Sequence, residues 1–579
     1  PPQNWGGFFF EQFFILSRMH NYEIADHFSL LAKLMDIHGE NTFKIRSYSN
    51  AAYTLDKLAT PVSEMSPSEL FATKGIGDAI GTKILQLIEN KKLTILEDYL
   101  EKTPPGIVEM LKIKGLGPKK ISTIWKELEI ENIGELLYAC QENRLINYKG
   151  FGAKTQQNIQ ESLEYYLQHQ GSFLYQQVES LANSLVSILQ LEFPSYQHII
   201  SGLFKRQMET IEYLDIVTTL PEKILIDWLK QKEFTITPST HFISSKGVDN
   251  FELRWWLTNP ENFHWTDFSL ACSPAFLQKW VENPVFDQKF SYSSEASIFE
   301  QVDIAFIPSP QREDPHILSS AMVDKHKKNL PNCIQENDIK GIIHSHSTWS
   351  DGIHSIEQMA TAAKAAGYQY LVISDHSRTA FYANGLEIER IIAQHKEIDQ
   401  LNKKLAPFVI FKSIESDILN DGSLDYPEQV LESFDIVIAS IHSNLKMTEE
   451  KAMFRLLNAI NNPYTSILGH PTGRLLLSRK GYPVNHSTII EACANNNVVI
   501  ELNAHPRRLD IDWRFINEAV QNEVLISINP DAHAIEGFED CKYGVKVAQK
   551  AGLTAAQNLS SFSLQEMMEF VSFQQAKRN

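Results

Sequence analysis

Seven short runs of aliphatic and β-branched residues, at 341–346, 370–376, 408–418, 436–442, 466–470, 498–503 and 525–531, alternate with stretches that carry the apolar period of helices, for example 356–366. Strand–helix alternation sustained over about 240 residues implies a (β/α) barrel, whose chemistry gathers at the carboxyl ends of the strands. The polar residues fall there. The first run ends in His344-Ser345-His346, followed by Ser350-Asp351-Gly352. The next runs end in Asp375-His376, in Glu415-Ser416-Asp417, in His442 and in Gly469-His470-Pro471. The last two supply Glu501 with Asn503, and Asp531-Ala532-His533. So many buried imidazoles and carboxylates at neighbouring strand ends would be costly without cations to compensate them. A His-x-His within a strand puts both rings on one face. Nitrogen and carboxylate donors without cysteine suit Mn²⁺, Zn²⁺ or Fe²⁺ better than Ca²⁺ or Mg²⁺.

A chain of 579 residues is long enough for several domains. Its five cysteines are far apart with no CxxC pair, which fits a reducing compartment and excludes a disulfide framework or a thiolate zinc site. No apolar run approaches the roughly 20 residues that span a bilayer, so no membrane partner is expected. The aromatic stretch at 8–16 lacks a basic flank and a small-residue cleavage site. It is a poor signal peptide, so residues 1–18 are expected to be an upstream extension of a cytoplasmic, monomeric protein that folds from about Met19. The net charge of −18 argues against general affinity for nucleic acid, because phosphate contacts are mostly made by Lys and Arg. DNA, if bound, must be held by local devices.

One such device occurs three times: Lys74-Gly75-Ile76-Gly77, Lys114-Gly115-Leu116-Gly117 and Lys149-Gly150-Phe151-Gly152, each followed by an amphipathic helical stretch. Glycines on both sides of an apolar residue allow a tight interhelical turn, and the N–H groups of the following helix start can hold a phosphate. A single Gly-x-Gly is an ordinary turn; three with a preceding lysine are a repeated unit. They resemble helix-hairpin-helix motifs, which grip DNA backbone without reading sequence. The second is locally basic, with Lys112, Lys114, Lys119, Lys120 and Lys126.

Together with Asn21-Tyr22-Glu23-Ile24-Ala25 and Phe43-Lys44-Ile45-Arg46-Ser47-Tyr48, these hairpins resemble the lyase-like (19–95) and fingers-like (96–165) regions of family X DNA polymerases. That resemblance assigns Lys83 to the lysine that forms a Schiff base with an abasic sugar in some members. It continues through a palm at 166–320, but the catalytic residues do not. The family's Gly-Ser pair meets Gly202-Leu203, and the first of its two strand aspartates is Tyr213. Asp215 remains, and the third carboxylate falls on Glu252. Two-metal nucleotidyl transfer needs bridging carboxylates, which a phenol cannot replace, so polymerase activity is expected to be lost.

After a linker at 321–336, the order His-x-His, Ser-Asp-Gly, Asp-His, Glu, His, Gly-His-Pro and Asp-Ala-His over 337–579 resembles the polymerase-and-histidinol-phosphatase (PHP) domain. The resemblance implies a distorted seven-stranded (β/α)7 barrel with three divalent metals. One would sit on His344, His346, Glu415 and Asp531, a second on Glu415, His442 and His470, and a third on Asp351, His376 and His533. It also suggests Arg474, Asn503 and Arg508 as contacts to substrate phosphate, with a structural salt bridge as the alternative for each arginine. Lyase-like domain, fingers, palm and PHP barrel form the domain order of bacterial family X polymerases. The implied activity is Mn²⁺-dependent 3′–5′ exonucleolysis of gapped, abasic or 3′-recessed DNA in repair. The rivals are a small-molecule phosphomonoesterase of the histidinol-phosphatase kind and a non-catalytic DNA-binding scaffold.

Overall fold

The computed structural model describes residues 19–141, 145–168, 171–247, 251–283, 291–323, 330, 332–477 and 480–578. The expected extension at 1–18 and part of the expected linker lie outside these residues. The chain divides after residue 170 into two compact units, and no described helix is long and apolar enough to cross a membrane.

The first unit is helical around its own apolar core. Helix Asn21–His38 buries Ile24, Phe28, Leu31 and Met35, one stripe at helical spacing. Ser66 and Glu69 form a capping box at the start of helix Pro67–Ala72. The three Lys-Gly-x-Gly copies adopt one geometry. Gly75, Gly115 and Gly150 have φ of +94°, +88° and +92°, the left-handed region that glycine enters without steric strain. The apolar residues Ile76, Leu116 and Phe151 are buried and pin the turns to the core. Gly77 and Gly117 then cap helices Asp78–Asn90 and Pro118–Lys126, and the Gly152 carbonyl accepts the first turn of Ala153–Gln168.

The second unit opens with a mixed sheet: β1 (His198–Ser201), β2 (Tyr213–Thr218), β3 (Thr235–Pro238), β4 (Ile243–Lys246) and β5 (Glu252–Leu257). Its spatial order is β1-β2-β5-β4-β3, with β2 and β5 parallel and the other pairs antiparallel. Then follow seven parallel strands in sequential order: β6 (Gly341–Ser345), β7 (Tyr370–Ile373), β8 (Val409–Asp417), β9 (Ile436–Ser440), β10 (Ile467–Leu468), β11 (Val499–Asn503) and β12 (Ile526–Asn529). A bridge between Ser345 and Ala532, with His346 N–H donating to the Ala532 carbonyl at 2.8 Å, nearly closes them into a barrel. Almost every strand residue is buried, as expected where helices cover the outside and side chains fill the inside. The observed strands end one to three residues before most of the sequence runs do, which leaves most of the polar residues on the loops just beyond.

Sheet and barrel share one apolar core, from Tyr175 and Trp228 through to Trp513 and Tyr543. Polar contacts reinforce that seam. Lys550 is buried on the barrel side, donates to the Arg206 carbonyl at 2.7 Å and lies over the Trp513 ring; burial pushes its pKa down to about 8.

Candidate metal centre

Strands β6 and β8 themselves, together with the loops after β6, β7, β9, β10 and β12, bring all nine sequence-selected donors to one mouth of the barrel. Glu415 lies at the middle. Its carboxylate is 2.9 Å from His376 Nδ1, 2.9 Å from His470 Nε2, 3.1 Å from His442 Nε2 and 3.3 Å from His344 Nε2. Asp531 lies 3.1 Å from His346 Nε2 and 3.5 Å from His344 Nε2. Asp351 lies 3.4 Å from His533 Nε2 and 3.8 Å from His376 Nε2. Three groups bring one donor atom per residue within 4.8 Å of one another: His346 with Asp351, His376 and His533; His344 with His346 and Asp531; His376 with Glu415 and His442. His346 and His376 thus each stand within two groups, a sharing the sequence partition did not contain.

The electrostatics follow from this crowding. Burial alone would raise the Glu415 pKa, but the imidazoles of His442, His344 and His376 hold it well below the usual carboxylate range. Burial opposes the ionised forms of His344 and His442 too. The carboxylates of Glu501, Asp531 and Glu415 nevertheless keep His344 well above its ordinary value, and Glu415 and Asp417 hold His442 up at about 10. His346 goes the other way: burial, then the neighbouring His533 and His376, push it down to about 3. Buried donor atoms also stand without any hydrogen bond, among them His344 Nε2, His346 Nδ1 and Glu415 Oε2. Unsatisfied buried nitrogen and oxygen lone pairs converging at ligand spacing fit divalent cations of the Mn²⁺, Zn²⁺ or Fe²⁺ kind. His344, His470 and Asp531 have φ of +63°, +21° and +53°, sparsely populated backbone that persists only where the surroundings enforce it.

A second layer fixes the donors, and the sequence reading gave it no role. Glu501 accepts from His344 Nδ1 at 2.6 Å, from the His470 N–H at 3.1 Å and from Asn529 at 2.8 Å. Asp417 accepts from His442 Nδ1 at 2.5 Å. Asp375 is buried and gathers the N–H and hydroxyl groups of Ser347 and Ser350, which shapes the loop that carries Asp351. Carboxylates behind histidines orient the rings and set the tautomer; the pattern was visible as Asp375-His376 and Glu415-x-Asp417, but spacing alone does not separate ligand from support.

Two of the three suggested phosphate contacts are placed differently. Arg474 donates to Asp512 at 2.7 Å, to the Arg508 carbonyl at 3.0 Å and to the Leu509 carbonyl, and it approaches Glu209 of the palm at 3.5 Å. It braces the loop at 507–512 rather than facing the centre. Asn503 is buried, and its amide donates to Glu501 and Asp531 at 3.0 and 3.1 Å, so it supports the donors. Arg508 alone of the three aims a guanidinium into the mouth, with Nε 3.6 Å from Asp531.

The palm residues are close together but tied to one another. Register pairs Tyr213 with Glu252 and Asp215 with Arg254 across β2 and β5, so all four share one sheet face. The Arg254 guanidinium stacks 3.3 Å above the Tyr213 ring and donates to Glu252 at 3.0 Å, whose other oxygen accepts from Ser244. Asp215 accepts from Trp256 at 2.7 Å; burial raises its pKa to about 6.

In the first unit Gly75, Gly77, Gly115, Gly117, Gly150 and Gly152 are exposed, as is Lys119. Lys120 folds back on the Gly115 carbonyl. Lys126, read as part of a basic patch, instead donates to the Ile37 carbonyl at 2.8 Å and caps the end of helix Asn21–His38. Lys83 donates to the Ala79 carbonyl of its own helix.

Comparison with known proteins adds three observations. Residues 19–93 match a helix-hairpin-helix domain, and residues 107–164 match a SAM-like helix-hairpin-helix tandem. The DNA polymerase/3′-5′ exonuclease PolX of Bacillus subtilis (strain 168) is 32% identical, over 96% of this chain and 99% of that protein. A probable phosphatase of Thermoanaerobacter sp. (strain X514) is 27% identical over 36% of this chain and 86% of its own length. Another, from Caldanaerobacter subterraneus subsp. tengcongensis, is 30% identical over 28% of this chain and 60% of its own.

Proposed function

The chain belongs to the bacterial family X DNA polymerases that carry a C-terminal PHP domain, and from that premise we propose that it is a DNA-repair nuclease whose polymerase site is inactive. It is a metal-dependent phosphoesterase; the finer assignment is 3′–5′ removal of nucleotides from gapped, abasic or recessed DNA. The observation that carries this reading is the convergence of nine donors, Glu415 among them, at one mouth of the barrel, with buried donor atoms that make no hydrogen bond. In this reading His344, His346, Glu415 and Asp531 hold one cation, Glu415, His442 and His470 a second, and Asp351, His376 and His533 a third. Mn²⁺ or Zn²⁺ bound there would supply an activated water and neutralise charge on the phosphate.

The protein's own groups do the rest. Arg508 offers a guanidinium to a non-bridging phosphate oxygen, as planar donors do, and is held in reach because Arg474 fixes the loop backbone beneath it. Glu501, Asp417 and Asn503 keep the donors oriented as substrate charge enters. The hairpin turns deliver DNA through backbone amides and Lys119, which lets a chain with a net charge of −18 bind a polyanion locally. These turns favour DNA over the metabolite-phosphatase reading, because a small phosphomonoester has no use for them. The palm supports the loss of nucleotidyl transfer: Arg254 stands between Tyr213 and Glu252.

The test is one assay on gapped duplex with Mn²⁺. The chain should shorten the 3′ end, His442→Ala should abolish this, and added nucleotides should give no primer extension. Extension that disappears in Asp215→Ala would restore the polymerase, and hydrolysis confined to small monoesters would favour the phosphatase.

A further inference from the structure

One histidine beside the centre belongs to none of the three donor groups. His505 lies just after β11, in the turn His505-Pro506-Arg507-Arg508, and the chain holds it from both sides. Its N–H donates to Asn503 Oδ1 at 3.1 Å, while the amide of that same Asn503 donates to Glu501 and Asp531. Its carbonyl accepts from the N–H of Arg508 at 2.7 Å and from that of Leu509 at 3.2 Å. Arg508 is therefore presented by a turn that His505 closes. The residue is only half-buried, and Asp531, Arg508 and His533 lie near enough to act on its charge.

The hydrogen-bond pattern decides what the ring can do. The Arg507 N–H donates to His505 Nδ1 at 3.2 Å; a backbone N–H can only donate, so Nδ1 is the acceptor nitrogen. A neutral imidazole has one lone-pair nitrogen and one N–H. The proton therefore sits on Nε2, which makes no hydrogen bond among the described residues. In that tautomer Nε2 has no lone pair to offer a cation. Burial, together with Arg508, Arg507 and His533, outweighs Asp531 and holds the pKa below its ordinary value, which keeps the ring neutral near pH 7. His505 is thus a fixed hydrogen-bond donor, unlike the nine residues read as cation ligands. We propose that His505 Nε2–H donates to a non-bridging oxygen of the substrate phosphate, as a second prong beside the Arg508 guanidinium. The proposal rests on reading this centre as a metal-dependent phosphoesterase and adds to it a residue that touches the substrate.

Substitution can separate the two ring nitrogens in the full-length protein loaded with Mn²⁺. Glutamine sets an amide N–H near the position of Nε2, and asparagine sets an amide oxygen near that of Nδ1. His505→Gln should retain most of the wild-type kcat/KM on bis-p-nitrophenyl phosphate. His505→Asn can still close the turn but should lower kcat/KM about 10- to 100-fold, as should His505→Ala, the range of one hydrogen bond to a charged group. Calorimetric titration with inorganic phosphate should rank the variants in the same order, and elemental analysis should find equal numbers of ions in all three. Activity kept in His505→Asn and lost in His505→Gln would confine the ring to the turn and overturn the proposal. Equal loss in all three variants, full activity in His505→Ala, or ions lost from any variant would overturn it too. In a protein that removes no nucleotide from DNA, the expected order on the small ester and on phosphate would support the contact and refute the nuclease reading alone.

Discussion

The palm sheet and the barrel both gather acidic side chains on one face or one mouth of the same compact unit, and they neutralise them by opposite means. In the palm, Glu252 is paired with Arg254 and Ser244, and Asp215 with Trp256. Each of these acids has a direct hydrogen-bond partner within the chain itself, although Arg254 Nε is left without one. In the barrel, Glu415 and Asp531 are ringed by imidazoles, and His344 Nε2, His346 Nδ1 and Glu415 Oε2 keep buried lone pairs or protons without a hydrogen bond. Outer carboxylates such as Glu501 and Asp417 orient those rings instead of cancelling the need for a cation. An acidic cluster is therefore no sign of a metal site until its hydrogen bonds are accounted for.

Several changes would break this contrast or sharpen it. The largest separation should come from matched substitutions behind the two clusters. Asp417→Asn removes the carboxylate behind His442 and should weaken metal affinity about 10- to 100-fold, as loss of an outer partner does. Glu252→Gln in the palm should leave metal binding unchanged, measured by titration of the apoprotein. A comparable loss in both would show that the palm still holds a cation.

Next in size is the separation of the two compact units. A chain beginning at Gly171 retains the shared palm–barrel core and should hydrolyse bis-p-nitrophenyl phosphate like the whole protein. On recessed DNA its KM should rise roughly ten-fold or more, with a shallower salt dependence, because the hairpin contacts to phosphate are gone. Equal KM values would mean that the hairpins do not deliver the substrate. A cut at 336 is a poorer choice, since it strips the seam where Lys550 meets Arg206 and Trp513 meets Glu209.

The smallest effect concerns stability. The folded pKa of Asp215, about 6, lies above the ordinary value of about 3.9. The folded state therefore holds this proton between roughly pH 4 and 6 when the unfolded state has released it. The residue's contribution is most favourable below pH 4 and is lost as pH rises through 6. Asp215→Asn should then stabilise the protein at pH 7 by on the order of 2 kcal/mol, with the gain shrinking as pH falls from 6 to 4. Calorimetric melting across that range reads it, and a destabilised variant at pH 7 would indicate that Asp215 is needed as an anion.

The sequence made some of this legible and hid the rest for physical reasons. The barrel strands stood out because burial on both faces leaves short unbroken apolar runs, and the hairpins because glycine is required at the positive φ of Gly75, Gly115 and Gly150. Tyr213 in place of an acid was equally plain. Arg254 was not, because only the parallel register of β2 and β5 reveals that it stands opposite Asp215 and beside Tyr213. Arg474 looked like a phosphate clamp because it follows Gly-His-Pro-Thr-Gly; its partner Glu209 lies 265 residues away, beyond any local pattern. Glu501 is a strand acid like any other until the fold brings His344 and His470 to it.

Metal content by elemental analysis tests the central contrast most directly. Protein purified with Mn²⁺ or Zn²⁺ present should carry two or three ions per chain, the same number in an Asp215→Ala variant, and fewer in His344→Ala along with at least a ~100-fold loss of phosphoesterase activity. Less than one ion per chain in the wild type, or ions lost with Asp215 and kept without His344, would contradict it.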